Sequence, residues 1–137
     1  MATLVDQLLK ADAKKATELA TSTFKSKKLA KILGQNGTVD ITIREIPARH
    51  LNELLTTQIS GKGNIDYSKT FGTKLLVCAE GIVEPSMRDK DLQEHFGAST
   101  PKDLVEKLFG FEANEISDAI SNLSLMPDDD TEDEIKN

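Results

Sequence analysis

The chain has 137 residues and a net charge of -6 at neutral pH. That length suits one domain with a single core, and the negative balance argues against nucleic acid as the main partner. Five Phe, one Tyr and no Trp leave the core to Leu, Ile, Val and Ala, which suits packed helices better than a β-sandwich.

In chain order, Thr3 is placed to cap a helix with Asp6 at its third position, and Leu4, Leu8 and Leu9 share one face. Ala16, Leu19 and Ala20 make a weaker continuation, so this helix is expected to break or to dock loosely. Residues 22–33 admit two readings: "TSTFKSKK" favours extended chain, whereas Leu29, Ile32 and Leu33 are spaced as on a helix. "GQNG" at 34–37 is a turn. In "TVDITIREI", Val39, Ile41 and Ile43 alternate with polar residues, the period of a half-buried strand. If 22–29 is extended, it forms a hairpin with 38–46.

Pro47 suits the first position of a helix, with Leu51, Leu54, Leu55, Gln58 and Ile59 as its stripe before "SGKGN" ends it. For residues 66–82 strand and helix both survive. The spacing of Tyr67, Phe71, Leu75, Cys78 and Ile82 favours helix, Gly72 weakens it, and Pro85 ends it. Ser86 is expected to cap a short helix carrying Leu92 and Phe96, closed by Gly97. Thr100 caps the next, with Pro101 first and Asp103 third, and with Leu104, Leu108 and Phe109 on one side. Gly110 breaks it before a last helix with Ala113, Ile116, Ile120 and Leu123 in register. The expected fold is α+β, a mainly helical single domain over residues 1–126. Residues 127–137 are expected to be a disordered acidic tail, because from Asp128 on six acids and one Lys surround a single apolar residue, Ile135.

Catalytic chemistry finds no foothold. His50 and His95 are far apart in sequence, with no second ligand at metal spacing, and read as surface or half-buried histidines. Cys78 lies in an apolar run and reads as a small buried hydrophobe. It is also the sole cysteine, which excludes an internal disulfide and fits a reducing compartment. "GKG" at 61–63 lacks a phosphate-binding frame, and the Ser-x-x-Lys matches at 22–25 and 99–102 lack their partner motifs. Glu80, Glu84, Asp89 and Asp91 read as helix caps and solvated charges. No catalytic residue, cofactor or metal is expected, nor any signal peptide or membrane span. The protein is read as cytoplasmic.

"LLKADAKKA", "KKLAKILG" and "VDITIREIP" lead into a Leu-rich helix. "GIVEPSMRDKDLQEHFGASTPKDLVEKLF" and "EISDAISNL" follow. In this order and spacing, over roughly residues 4–124, the chain resembles the XkdN-like tail assembly chaperones of long-tailed phages and of defective prophages in Gram-positive bacteria. No counterpart is assigned to the residues after Met126. The resemblance implies a small cytoplasmic, non-enzymatic chaperone. Its client is the long, hydrophobic tape measure protein, bound before the tail tube polymerises, and it is absent from the finished virion. It also implies the tail tube protein and a longer frameshifted form of the chaperone as further partners, alongside homo-oligomers, with no nucleic acid or membrane partner. A structural tail component and a small adaptor that docks a cytoplasmic protein are the alternatives.

The candidate partner-binding residues are Val105, Leu108, Phe109, Ile116 and Ile120. Together these supply more apolar positions than one narrow stripe needs, on two helices whose caps fix their angle.

Overall fold

The structure is a computed structural model, and it describes residues 3–125. The expected disorder of 127–137 falls outside the described residues.

The first element, α1 (Leu4–Lys10), is opened by Thr3 and Asp6 in the reciprocal cap that the sequence suggests. It stops at Lys10, and Asp12 caps a separate 3-10 turn at Ala13–Ala16. Then comes β1 (Thr21–Ser26), which passes without a loop into α2 (Lys27–Ile32). Both readings of 22–33 are therefore realised, one after the other. The switch is Ser26, whose hydroxyl accepts the Leu29 N–H at 3.0 Å and so starts the helix at the strand's last residue.

β2 (Val39–Arg44) pairs antiparallel with β1, Thr21 opposite Arg44 and Ser26 opposite Val39, which is the expected hairpin. The alternation sends Ile41 and Ile43 into the core. Pro47 precedes α3 (Ala48–Leu55) as its cap residue, one position earlier than expected. The apolar stripe extends to Ile59, but the helix ends at Leu55. The hydroxyls of Thr56 and Thr57 donate back to the Glu53 and Leu54 carbonyls, both at 2.7 Å, and the chain tightens into a 3-10 turn.

α4 (Tyr67–Gly81) is the helix favoured for this segment, with Asp66 as its cap. Its end carries a feature absent from the sequence reading. Ile82–Glu84 leaves the helix as β3 and pairs antiparallel with β2 across a bulge, giving a three-stranded sheet in the order β1-β2-β3. The helical spacing runs on to Ile82 because one buried face serves both conformations.

α5 (Lys90–His95) is capped by Asp89, whose carboxylate accepts the Leu92 N–H at 3.0 Å. Ser86 caps no helix. Its hydroxyl accepts the Arg88 N–H at 3.2 Å, making a turn before α5. Gly97 closes the segment at φ +70°. α6 (Pro101–Phe109) and α7 (Glu112–Leu125) follow as expected, with Thr100 accepting the Asp103 N–H at 3.1 Å.

The core forms where α4 packs on both α6 and α7, with α7 lying across β1 and β2. α4 and α7 approach closely because Gly81 carries no side chain. A β-carbon there would lie 2.5 Å from Ile120 Cδ1.

Candidate interaction surface

The five residues expected to bind a partner are all core. Val105, Leu108, Phe109, Ile116 and Ile120 are buried, and a fully enclosed side chain offers a partner no surface. The wide apolar face is real, but it is consumed internally. α6 packs on α2, α4 and α5, and α7 on α4, β1 and β2, so each helix needs apolar residues on more than one side.

What the folded chain does expose lies elsewhere. Gly110, at φ +55°, ends α6 and swings the chain so that Phe111 projects into solvent, 87% exposed. Its ring centroid lies 6.1 Å from that of half-buried Phe71 on α4, the two rings tilted by 52°. Tyr67, one turn earlier on α4, is 82% exposed. The turn that carries Phe111 is fastened at both ends of one amide. Asn114 Nδ2 donates to the Phe111 carbonyl at 3.0 Å, and Lys74 Nζ donates to Asn114 Oδ1 at 3.0 Å. Large aromatics held in place this way are what protein interfaces use as anchors. Phe111 was not singled out in the sequence. Its signal is that it falls out of step with the Ala113, Ile116 and Ile120 stripe beside it.

Two further apolar features face solvent. A groove of about 260 Å³ runs between α3, α4 and α6, lined by Leu54, Leu76, Ala79 and Pro101 together with Thr100 and the charged Glu80, Arg88 and Lys102. At the other extreme, α1 presents Leu4, Val5, Leu8 and Leu9, each 63–79% exposed, and buries nothing.

Groups that carry chemistry elsewhere are spent on structure here. Cys78 is buried with its Sγ 3.3 Å from the Ala113 carbonyl. Burial, with a smaller contribution from the Asp118 charge, pushes its thiol up to about 12, which leaves it protonated at neutral pH. His50 lies 3.6 Å from Glu53 and 3.5 Å from Glu80, which also takes Arg88 at 2.8 Å. His95 stands edge-on to Phe96. Among the described residues no three His, Cys, Asp or Glu side chains gather as metal ligands, and no helix is long and apolar enough to cross a membrane.

Residues 5–136 match the family model of the phage XkdN-like tail assembly chaperone proteins. The chain belongs to this family. The match continues through most of the acidic stretch after Met126, beyond the limit the sequence resemblance reached. No curated protein and no solved structure matches the chain. As a tail assembly chaperone, the protein works on phage tail proteins, and its task is assembly, not catalysis.

Proposed function

We propose that this tail assembly chaperone binds the tape measure protein of its phage or prophage in the host cytoplasm. It keeps that protein soluble until the tail tube assembles around it, and is then released. Family membership carries the reading. Tyr67, Phe71 and Phe111 are the proposed contact surface, because they gather exposed aromatic area at a turn that Asn114 and Lys74 hold in one shape. A long helical client lays apolar side chains at helical spacing against such a surface. The association costs little ordering on the chaperone side when its anchors are already fixed.

Co-expression with the tape measure protein tests the proposal. The client is expected in the soluble fraction, and in complex, only when the chaperone is present. Purified tails analysed by mass spectrometry are expected to lack the chaperone. A client that is equally soluble alone would overturn the client assignment, and stoichiometric chaperone in finished tails would make it a structural component.

A further inference from the structure

We infer that the chain's own C-terminal acids, Glu132, Asp133 and Glu134 foremost, dock on the lysine face of α2 in the same molecule. Between Glu18 and Asp40 the sequence has four Lys and no acid. Lys25 is taken by Asp40 at 3.2 Å. Lys27, Lys28 and Lys31 remain, all exposed on α2, with Lys27 and Lys28 each one turn from Lys31. Among the described residues no carboxylate stands within ion-pair distance of these three. Glu112, which touches this helix, has both oxygens engaged by the Ser26 hydroxyl and the Lys27 and Lys28 N–H groups. Like charges one turn apart weaken a helix, so α2 gains from an anionic cover. The same chain carries a matching one: from Asp128 on it has six acids and a single Lys.

Chain length selects which acids serve. Ser124 Oγ accepts the Ile46 N–H at 3.0 Å, so α7 ends beside the Thr21–Arg44 end of the hairpin, whereas α2 starts from Ser26 at the other end. The six residues of β1, at about 3.3 Å each, put about 20 Å between these two places. Counted from Ser124, Asp128 extends to about 13 Å and Asp130 to about 20 Å at full stretch, whereas Glu132, Asp133 and Glu134 extend to about 27–34 Å. The second group of acids therefore reaches the lysines with slack, and the first does not. Ile32 and Leu33, exposed at the far end of α2, then meet the chain where Ile135 follows the acids. A tether this short holds the acids near the lysines at an effective concentration on the order of millimolar, so contacts that are weak singly become populated. The covered face also borders the aromatic corner, because Lys28 Nζ lies 4.0 Å from where a β-carbon on Gly110 would stand. The docking does not rest on the role assigned to that corner.

The test uses the full chain without client. Carbodiimide coupling at about 10 mM salt, read by mass spectrometry, is expected to join Lys27, Lys28 or Lys31 to Glu132, Asp133 or Glu134. At about 1 M salt, where the Debye length falls to about 3 Å, these links are expected to disappear. The absence of α2 links at low salt would overturn the proposal, and so would acids that couple equally well to exposed Lys62 and Lys90. In an equimolar mixture of isotope-labelled and unlabelled chains, links formed mainly between the two kinds would overturn docking within one molecule. Amide NMR signals of α2 give a second readout that needs no coupling reagent. Glu132→Gln/Asp133→Asn/Glu134→Gln is expected to shift them at low salt, and Asp128→Asn/Asp129→Asn/Asp130→Asn to leave them in place. Equal shifts from the two variants, or none from the first, would contradict the docking described.

Discussion

Gly72 and Gly81 occupy the same helix, yet substitution is expected to act on them in opposite directions. A β-carbon at Gly81 would stand 2.5, 2.7 and 2.9 Å from three side-chain atoms of Ile120, which is itself buried and has no room to yield. Gly81→Ala should therefore destabilise by about 1–3 kcal/mol, outweighing the helix propensity it gains. At Gly72 the nearest atom is Lys102 Nζ at 3.2 Å, the free end of a flexible, exposed side chain. Gly72→Ala should stabilise by about 0.5–1 kcal/mol. Urea denaturation of the two variants checks the pair, and equal shifts of the same sign would contradict the packing described. Cys78 gives a residue-scale prediction in pH. Its folded pKa of about 12 lies above the ordinary 9.0. The neutral thiol therefore contributes stability that is complete below about pH 9 and is lost as pH rises toward 12. Relative to Cys78→Ala, the wild type should lose stability through that window at up to about 1.4 kcal/mol per pH unit. A difference between the two that stays flat across the window would contradict this.

Elements in this chain are tied together by side chains reaching across the sequence, and these ties were the least legible part. Thr3 and Thr100 were readable as caps because the backbone N–H groups that donate to their hydroxyls lie three residues away. Glu112 was not readable, because its partners are remote. It accepts from the Ser26 hydroxyl and from the Lys27 and Lys28 N–H groups, the last two at 2.9 and 3.3 Å, so the first residue of α7 satisfies the start of α2. Glu112→Ala leaves buried Ser26 without its acceptor and those N–H groups unpaired. The cost should be about 1–3 kcal/mol, with hydrogen exchange speeding most strongly at α2. A loss spread evenly over the fold would argue that α2 does not depend on this contact. β3 was missed for a related reason. Ile82 keeps the helical spacing of α4, and only the neighbouring edge of β2 selects the extended form.

At the scale of the whole molecule, the fold class, the hairpin and the helical stripes were legible because period and turn chemistry are local. The exposed aromatic corner was not. Val105, Leu108, Phe109, Ile116 and Ile120 have the pattern of an apolar face, and pattern says which residues share a side without saying what that side meets. The answer depends on α4 and the sheet, which arrive from distant sequence. Conversely, Phe111 carries little pattern, and its exposure follows from Gly110 and Asn114 together. The central claim is that the exposed aromatic corner, and not the buried α6–α7 set, meets the client. The affinity of purified Tyr67→Asp/Phe111→Asp chaperone for the tape measure protein, measured by calorimetry beside its melting temperature, tests this most directly. A loss of at least about tenfold in affinity with the melting temperature unchanged is the predicted result. Wild-type affinity in the folded double variant would contradict it.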